Sequence, residues 1–478
     1  MNTSKLERAQ RSIDELRPRA EADPMRPVFH FHPRSRWMND PNGTIYVDGY
    51  YHLFYQLNPY GDAWGSIHWG HARTRDFTEW EHLPIALAPD GDEYEHFCYS
   101  GCAVVPEDGP PRIFYTSVSA DRETHPHTQR SAVGTADLVS WHKGEPPTLT
   151  LADAPTGTRA DWRDPYVFEH DGRHFMVVAA VIPHDGQDRA AVLLYRAEDR
   201  SLDRWSYVQP LHLYEEEVTF AECPNLFRIG ERWVLIVSPF GPLRYAIGAD
   251  GDPPDRFAPD RVGIVDYSAE YYATNTFLVD GRVILVAWIR GFPKGRGWNG
   301  CLSIPRELGI STDGDLIQTP IEEVRSLRTR GGTVAPEVLR SNRVELGDVP
   351  VRGVEIEGTL RIGPHGRAAI RLSSEEGPLF SLEFDGATST LHAEGIPVRL
   401  DPERSAEQPI SFRVFVDRSV VEAFIDGGRR CVTRVAENLL QADRLVLETD
   451  DGAGFGYLHY WEMIPIEYRD WDTSTRAQ

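Results

Sequence analysis

Short hydrophobic runs separated by glycine-containing turns dominate the chain after residue 28. The runs are rich in Val, Ile, Tyr, Phe and Trp, which is typical of β-strands. An Asp-Gly pair between two such runs is the usual signal for a tight β-hairpin. The pattern therefore predicts an all-β protein built from consecutive hairpins. The clearest turns are Asp48-Gly49, Asp171-Gly172, Gly230-Glu231 and Asp280-Gly281, and a further hairpin starts at Ser100-Gly101 and turns through 107–109 into Arg112–Thr116.

The hairpins recur along the chain, with starts near residues 40, 100, 164, 222 and 273. A second element, an acidic residue a few positions before tryptophan, recurs in "RDFTEW" and "ADLVSW" and more loosely in "SLDRW". A four-stranded sheet of this size cannot bury both of its faces alone, so repetition at this spacing indicates radial packing of sheets. We expect a five-bladed β-propeller over residues 27–318.

The segments outside the repeat predict four further parts. Residues 1–26 form a charged N-terminal extension, with a helix of about twelve residues before Pro18. Residues 319–328, "TPIEEVRSLR", read as a helical linker. Strands without the repeat spacing follow over 329–470, where alternating polar and apolar positions indicate an antiparallel β-sandwich. Residues 471–478 are expected to be a tail.

Charge and composition exclude several classes of protein. The 478 residues include 50 Lys and Arg against 73 Asp and Glu, a formal net charge of −23. This balance argues against nucleic acid as a partner, because binding phosphates needs clustered cations. The longest apolar stretches, such as Phe175–Ile182 and Val283–Ile289, are much shorter than the roughly 18 residues of a membrane helix. We therefore expect no membrane partner.

Cysteine use and the first residues predict the compartment. The five cysteines form no CxxC pair, so neither a disulfide framework nor a structural zinc site is indicated. The first 24 residues lack the apolar core of a secretory signal. We expect a cytoplasmic protein, or a secreted one if the chain is a processed mature form.

Three carboxylates stand at equivalent positions of the repeat. Asp40, Asp164 and Glu222 open the segments "NDPNGTIYVDG", "RDPYVFEHDG" and "ECPNLFRIGE", each at or near a proline that fixes the entry into the strand. If these strands are the first of their blades, the three acids meet at one end of the central axis. Asn-Asp-Pro-Asn-Gly is also ordinary turn chemistry. Three acids at one phase favour a catalytic cluster, because folding does not require them and clustered like charges are costly.

Such a cluster suits glycoside cleavage, which needs one ionised and one protonated carboxyl about 5–5.5 Å apart for retention of configuration. A third acid could bind sugar hydroxyls. Aromatic side chains offer flat apolar faces to a sugar, and amides and an arginine offer hydrogen bonds. The aromatic candidates are Trp37, Trp64, Trp69, Tyr99, Trp288 and Trp298, and the polar candidates are Asn39, Asn42, Gln56 and Arg163.

Several long motifs resemble glycoside hydrolase family 32, which contains invertases, inulinases, levanases and fructosyltransferases. They are "WMNDPNG", "FYQLNPYGDAWGSIHWGHARTRDFTEWEHLPIAL", "RDP", "EC", "GWNGCLSIPREL" and "VDRSVVEAF", in the family's order. The resemblance extends from about Pro27 to Tyr468. It implies a five-bladed propeller followed by a β-sandwich, in agreement with the repeat.

The resemblance also implies roles. Asp40 would be the nucleophile on a β-fructofuranosyl unit, Glu222 the general acid and then the base, and Asp164 a stabiliser of the transition state. The implied activity is retaining hydrolysis of terminal fructose from sucrose or fructo-oligosaccharides, without cofactor or metal, by a monomer or homodimer. The implied substrate-binding residues are Asn39, Gln56, Trp64, Tyr99, Ser100, Arg163, Cys223 and Trp288.

Alternatives stay open at this point. A fructosyltransferase would capture the intermediate with a sugar hydroxyl, and two departures from the family pattern concern that choice: Tyr99-Ser100-Gly101-Cys102, where many members read Phe-Ser-Gly-Ser, and the Arg- and Lys-rich loop Ile289–Trp298. A non-catalytic sugar-binding propeller and a metal-dependent hydrolase are more distant alternatives. The metal candidates are His68 with His71 and His125 with His127. A phosphorylated sucrose is a further candidate substrate, with Arg290, Lys294 and Arg296 as phosphate partners.

Overall fold

The computed structural model describes residues 4–91, 94–215, 217–249, 254–401 and 408–472. It begins with helix α1, Lys5–Glu21, which Ser4 and Glu7 cap reciprocally: the Ser4 hydroxyl accepts the Glu7 N–H at 3.2 Å, and the Glu7 carboxylate accepts the Ser4 N–H at 2.9 Å. No helix in these ranges is both long enough and apolar enough to span a membrane.

The expected end of this helix before Pro18 is wrong, because α1 continues through Pro18 to Glu21. A proline inside a helix removes one backbone hydrogen bond. Tertiary contacts offset that loss: Ala20 is fully buried, and the Arg19 guanidinium donates to the carbonyl of Gly295. The last turn is therefore held by packing against the rest of the molecule.

Five sheets follow one another over residues 36–320, and each begins with the hairpin that the sequence predicted. The first sheet contains β1 Arg36–Val47, β2 Tyr50–Asn58, β3 His68–Thr74 and β4 Glu79–Leu87. The second contains β5 Phe97–Val104, β6 Arg112–Val118, β7 Thr128–Gly134 and β8 Trp141–Lys143. The third contains β9 Arg163–His170, β10 Arg173–His184, β11 Gln187–Ala197 and β12 Trp205–Leu213. The fourth contains β13 Glu222–Ile229, β14 Arg232–Ser238, β15 Arg244–Gly248 and β16 Pro259–Ile264. The fifth contains β17 Tyr271–Val279, β18 Arg282–Ile289, β20 Cys301–Leu302, β21 Arg306–Ile310 and β22 Leu316–Pro320, while β19 Trp298–Asn299 joins the first sheet.

The first strands of the five sheets form a closed ring. β1 contacts β5, β5 contacts β9, β9 contacts β13, β13 contacts β17, and β17 returns to contact β1. β19 pairs in parallel with β1, with Arg36 opposite Trp298, and this pairing fastens the end of the ring to its beginning. The same end of all five first strands therefore surrounds one axis, as the sequence analysis requires.

Two six-stranded antiparallel sheets form the sandwich after residue 327. Their facing side chains make one continuous apolar core, which includes Val354, Leu382 and Phe412. The predicted all-β architecture of a propeller followed by a sandwich is confirmed. One sheet contains β23 Arg328–Thr333, β25 Gly353–Ile362, β30 Ile410–Asp417, β31 Val420–Ile425, β32 Arg430–Val435 and β34 Ala453–Met463. The other contains β24 Arg343–Leu346, β26 Arg367–Ser374, β27 Gly377–Asp385, β28 Thr390–Ala393, β29 Ile396–Arg399 and β33 Arg444–Thr449.

The predicted helical linker 319–328 is helical only over Glu322–Leu327, a 3-10 helix, because residues 319–320 still belong to β22. The other 3-10 helices among the described residues are Leu151–Asp153, Pro254–Arg256 and Glu437–Gln441. A final strand, β35 Glu467–Asp470, leaves the sandwich and pairs in parallel with β4 at the outer edge of the first sheet.

A buried charged network joins the two parts of the molecule. The His30 imidazole lies between Asp417 at 2.8 Å and Glu422 at 3.0 Å, both from the sandwich. Arg306 of the fifth sheet contacts the other Glu422 oxygen at 2.5 Å and Asp266 at 3.0 Å. All five side chains are fully buried. This interface network, His30, Asp266, Arg306, Asp417 and Glu422, fixes the sandwich against the propeller.

Candidate active site

A β-bulge interrupts each of the five inner strands near the same end of the axis. The pairing register between the first and second strands shifts around residues 38–41, 98–101, 163–166, 222–225 and 272–274. Bulges redirect side chains, and they are frequent beside active sites. Asp164, Cys223 and Ala273 occupy these bulges with positive φ angles of 66°, 48° and 45°, a conformation that non-glycine residues rarely adopt. The repeated acid near a proline in the sequence is thus the signature of a bulge.

The bulges surround a pocket of about 310 Å³ at this end of the propeller. Ser100 and Cys223 lie directly beneath it, because the Ser100 hydroxyl and the Cys223 sulfur contact Asp40. The structure therefore brings all eleven predicted site residues together. Those that line the pocket itself are Asn39, Asp40, Gln56, Trp64, Tyr99, Arg163, Asp164, Glu222 and Trp288.

Hydrogen-bond donors surround the Asp40 carboxylate on both oxygens. The Ser100 hydroxyl donates to Oδ2 at 2.5 Å, and the Gln56 amide donates to the same oxygen at 3.3 Å. The Asn39 amide donates to Oδ1 at 3.0 Å. Asn39 is itself fixed, since its second N–H donates to Gln56 Oε1 at 2.6 Å and its oxygen accepts the Trp37 indole N–H at 2.9 Å. The arrangement favours an ionised, immobile Asp40.

Asp164 and Glu222 are connected through Arg163. The guanidinium donates to Glu222 Oε1 at 2.8 and 3.2 Å, and its Nε lies 4.0 Å from Asp164 Oδ2. The same Asp164 oxygen accepts the backbone N–H of Cys223 at 2.9 Å. Arg163 is held flat against the Phe220 ring, with 3.8 Å from Cζ to the ring centre. One cation thus serves two acids of the pocket.

The second Glu222 oxygen contacts the hydroxyl of Tyr272 at 2.5 Å. That hydroxyl also lies 3.0 Å from the carbonyl oxygen of Ser238 and accepts the Phe240 N–H at 3.1 Å. Because the hydroxyl has only one hydrogen, it can donate either to Ser238 or to Glu222. The first arrangement suits a protonated Glu222, which then donates to the hydroxyl, and the second suits an ionised Glu222.

Burial and like charge raise the pKa of the neighbouring acids. Burial raises the pKa of Asp40, the Ser100 hydrogen bond opposes the rise, and the charge of Glu222 adds to it. Burial raises the pKa of Asp164 to about 7 although the charge of Arg163 opposes this, and the charge of Glu222 contributes to the rise. Asp40 and Asp164 therefore bind a proton more tightly than ordinary exposed carboxyls do.

Some predicted contacts with sugar are wrong. Trp69 and Trp298 are buried, and their indole nitrogens donate to the Tyr99 carbonyl at 3.0 Å and to Asp23 at 3.1 Å. Asn42 is also buried, with its side-chain oxygen 3.4 Å from the Gly101 nitrogen, and Trp37 supports Asn39 rather than lining the pocket. These side chains stabilise the walls of the site.

Sequence reasoning missed four lining residues: Arg122, Asp161, Phe240 and Tyr272. Arg290, considered above as a phosphate partner, also lines the pocket. Only Tyr272 carries a repeat signal, because it precedes the bulge of β17 just as the acids mark other bulges. Arg122, Phe240 and Arg290 come from segments between strands, whose path a repeat does not predict.

The candidate metal-binding histidines, and two of the three candidate phosphate-binding residues, do not line the pocket. His71 is buried and stacks on Phe54, with ring centres 3.9 Å apart, and His127 is buried beneath Tyr99. Within the described ranges, no group of three or more His, Cys, Asp or Glu side chains is arranged to hold a metal ion. Arg296 pairs with Asp23 at 3.0 Å, and neither Arg296 nor Lys294 lines the pocket.

Comparison with known proteins identifies the family. The model of the glycosyl hydrolases family 32 N-terminal domain matches residues 30–320, and that of the family's C-terminal domain matches residues 372–436. The chain is 34% identical to raffinose invertase of Escherichia coli over 89% of this chain and 92% of that protein. It is 30% identical to sucrose-6-phosphate hydrolase of Bacillus subtilis over 89% and 92%.

Solved structures agree with this result. A family 32 beta-fructofuranosidase of Bombyx mori superposes with a TM-score of 0.80 at 28% identity, over 98% of this chain and all of that one. Sucrose-6-phosphate hydrolase of Lactobacillus gasseri superposes with a TM-score of 0.79 at 25% identity, over 96% and 97%. With its propeller, its sandwich and both family domains matched in order, the chain belongs to glycosyl hydrolase family 32.

Proposed function

We propose that the protein hydrolyses terminal β-fructofuranosyl linkages of sucrose or of fructo-oligosaccharides, with retention of configuration, through a covalent fructosyl-enzyme. One observation carries the proposal: Asp40, Asp164 and Glu222 come from three different inner strands and meet in one pocket around Arg163. Paired carboxyls of this kind are the machinery of retaining glycoside hydrolysis.

Asp40 is the nucleophile in this mechanism. Its oxygens attack the anomeric carbon of the fructosyl unit while the glycosidic bond breaks. Donors from Asn39, Gln56 and Ser100 hold the carboxylate in one orientation, which lowers the entropic cost of reaching the attacking geometry. They also keep it ionised against the effect of burial.

Glu222 is the acid and then the base. In the first step it gives its proton to the departing sugar oxygen, and the Tyr272 hydroxyl then turns from Ser238 to donate to the new carboxylate. In the second step Glu222 removes a proton from water, the water oxygen attacks the anomeric carbon, and Asp40 leaves. The hydroxyl then donates to Ser238 again, so Tyr272 changes its hydrogen-bond acceptor each time Glu222 loses or regains its proton.

Asp164 and Arg163 act on the fructose ring. The carboxylate of Asp164 accepts the backbone N–H of Cys223, and its remaining acceptor capacity faces the pocket, where sugar hydroxyls can donate to it. A negative group beside the ring stabilises the positive charge that develops at the anomeric centre. Arg163 prevents the two neighbouring carboxyls from repelling each other.

The pocket supports removal of single terminal units. Its volume of about 310 Å³ lies at the lower end of the range for small-molecule sites, which suits a terminal unit rather than the middle of a polymer. The half-exposed Trp64, between β2 and β3, and the buried Trp288, on β18, offer it apolar faces. Relatives named raffinose invertase and beta-fructofuranosidase, and the Bombyx mori enzyme solved in complex with sucrose, support sucrose as the first substrate to test.

The test is a set of carboxylate variants assayed on sucrose by chromatography of the products. Asp40→Asn should lower kcat at least about 1000-fold without loss of fold, because the amide is a far weaker nucleophile. Glu222→Gln should lose most activity on sucrose, retain more on a fructoside whose leaving group needs no proton, and recover part of its activity with azide. Asp171→Asn, at the turn that ends the same strand as Asp164, is the matched control and should retain activity.

Three results would contradict the proposal in whole or in part. Free fructose from the Asp40→Asn variant at the wild-type rate would exclude Asp40 as the nucleophile. Equal loss with every leaving group and no azide rescue would exclude Glu222 as the acid. Larger fructose-containing products with little free fructose would replace hydrolysis by transfer, while leaving the first chemical step intact.

A further inference from the structure

A buried pair of side chains from the second sheet contacts the backbone of Asp164 in the third. Thr116 on β6 lies directly opposite Gln129 on β7, and both residues are fully buried. The Thr116 hydroxyl donates to Gln129 Oε1 at 2.7 Å and accepts the backbone N–H of Asp164 at 2.9 Å. The pair therefore connects two neighbouring sheets at one of the pocket acids.

The bulge of β9 explains why Asp164 needs a partner outside its own sheet. The register between β9 and β10 shifts after Arg163 and resumes at Tyr166, so Asp164 lies outside the regular pairing. A buried N–H without an acceptor is costly. Asp164 also has a φ of 66°, which persists in a non-glycine residue only when surrounding contacts hold it. The Thr116 hydroxyl supplies the acceptor and is one of those contacts.

Gln129 fixes the direction of the Thr116 hydroxyl. The hydroxyl has one hydrogen, and because Gln129 Oε1 accepts it, the lone pairs of the oxygen are left for the Asp164 N–H. The Gln129 amide nitrogen lies 3.4 Å from the Trp162 carbonyl oxygen, to which it donates, and this contact keeps Oε1 toward Thr116. The pair thus holds the backbone on both sides of Arg163.

The contact continues from Asp164 into the fourth sheet. Asp164 Oδ2 accepts the backbone N–H of Cys223 at 2.9 Å, and Cys223 occupies the next bulge with a φ of 48°. This N–H belongs to the peptide bond that joins Glu222 to Cys223. A shift of the Asp164 backbone would therefore move its carboxylate relative to the sugar and release the peptide unit beside Glu222. Displacements of this size near reacting groups are costly to turnover.

We propose that Thr116 is a positioning residue for the hydrolysis, which holds Asp164 in its bulge conformation with the help of Gln129. This inference rests on the proposed function, because Thr116 acts through an acid of that mechanism. Thr116 and Gln129 are fully buried and do not line the pocket, so neither side chain touches the substrate. Their effect on turnover passes through the backbone of Asp164.

The test measures kcat and KM on sucrose for variants of Thr116, with circular dichroism to check the fold. Thr116→Val keeps the volume but removes the acceptor, so kcat should fall about tenfold to a hundredfold while KM changes less than about threefold. The loss lies mainly in kcat because the Asp164 carboxylate is needed most when positive charge develops on the sugar. Thr116→Ser restores the hydroxyl and should keep kcat within about threefold of wild type.

Variants of Gln129 and of a neighbouring hydroxyl locate the effect. Gln129→Leu leaves the Thr116 hydroxyl in place but free to turn, so its kcat should lie between those of wild type and Thr116→Val. Adding Gln129→Leu to Thr116→Val should lower kcat less than about twofold further, because both act through one hydrogen bond. Ser117→Ala is the matched control and should keep the wild-type kcat. It removes the buried hydroxyl of the next residue on β6, which donates to the Tyr94 carbonyl at 3.4 Å.

A folded Thr116→Val variant with kcat within about threefold of wild type would overturn the inference. A Thr116→Ser variant as slow as Thr116→Val would overturn it too, because the hydroxyl would then not be the group that matters. If Thr116→Val does not fold, Gln129→Leu decides: a reduced kcat supports the inference and a wild-type kcat overturns it. In all these cases wild type still cleaves sucrose, whereas failure of the proposed function would leave wild type itself without hydrolytic activity.

Discussion

Alkaline pH should weaken the attachment of the sandwich to the propeller through one histidine. The two ring nitrogens of His30 face Asp417 and Glu422, which accept hydrogen bonds but, when ionised, cannot donate them. Both nitrogens therefore carry hydrogen, and the ring is an imidazolium. Burial by itself lowers the pKa of His30. Hydrogen bonds to both carboxylates and their negative charges outweigh this effect and raise the pKa to about 9.

The magnitude follows from the difference between the folded and unfolded states. The ordinary pKa of histidine is 6.5, and one pH unit of difference corresponds to about 1.4 kcal/mol. A folded pKa of about 9 therefore contributes about 3 kcal/mol to the free energy of unfolding. Since the folded pKa is raised, this contribution is fully present below pH 6.5 and is lost as the pH rises through 9.

Urea unfolding at pH 6.5, 7.5, 8.5 and 9.5 measures this dependence. Wild type should lose about 3 kcal/mol across the series, whereas His30→Gln should start less stable but lose little. His184→Gln is the matched control, because His184 lies half exposed at the turn between β10 and β11, and its variant should follow wild type. A His30→Gln variant with the same pH dependence as wild type would refute the reasoning.

Three further predictions concern the pocket and the interface network. Asp62→Ala should raise KM for sucrose several-fold and leave kcat within about twofold. The Asp62 carboxylate accepts two backbone N–H bonds, at 2.8 and 3.2 Å, from the Ile289–Trp298 loop, and so holds that loop and its own loop, residues 59–67, at the pocket mouth. A fall in kcat alone would contradict this. Tyr272→Phe should lower kcat on sucrose about tenfold or more and have less effect on a substrate whose leaving group needs no proton. The substitution removes only the hydroxyl that hydrogen-bonds Glu222 after this acid has given up its proton. Equal loss on both substrates would argue for a purely structural role. Arg306→Met should lower the free energy of unfolding by about 3–5 kcal/mol, measured in urea at pH 7, because it leaves the buried Asp266 without its arginine and Glu422 with His30 as its remaining cation. An unchanged midpoint would show that water or a proton replaces the arginine.

The positions of the three pocket acids were predictable because each is encoded locally. A bulge at a strand start needs residues that tolerate unusual backbone angles, and the resulting acid and proline recur at one phase of the repeat, as at Asp40 and Asp164. The hairpins were predictable for the same reason, since their Asp-Gly turns are short-range signals.

Other features depend on contacts that a local pattern does not contain. Trp69 and Trp64 lie five residues apart, yet one is fully buried and the other half exposed, which follows from where the neighbouring sheet packs. Arg290 and Phe240 reach the pocket from loops whose path is set by ring closure. The interface network pairs His30 with Glu422, 392 residues apart in sequence, and no local sequence pattern predicts such a pair.

The parallel pairing of β35 with β4 makes the order of synthesis matter for this protein. The first four strands of this sheet end at Leu87, but the strand that covers the outer edge of β4 begins only at Glu467. At ordinary rates of translation roughly 20 to 80 s separate the two. During that time the edge of β4 presents unpaired backbone groups to other nascent chains, which is the geometry of edge-to-edge aggregation. A stop codon that removes β35 would expose the edge of β4 permanently even in a molecule whose pocket is intact.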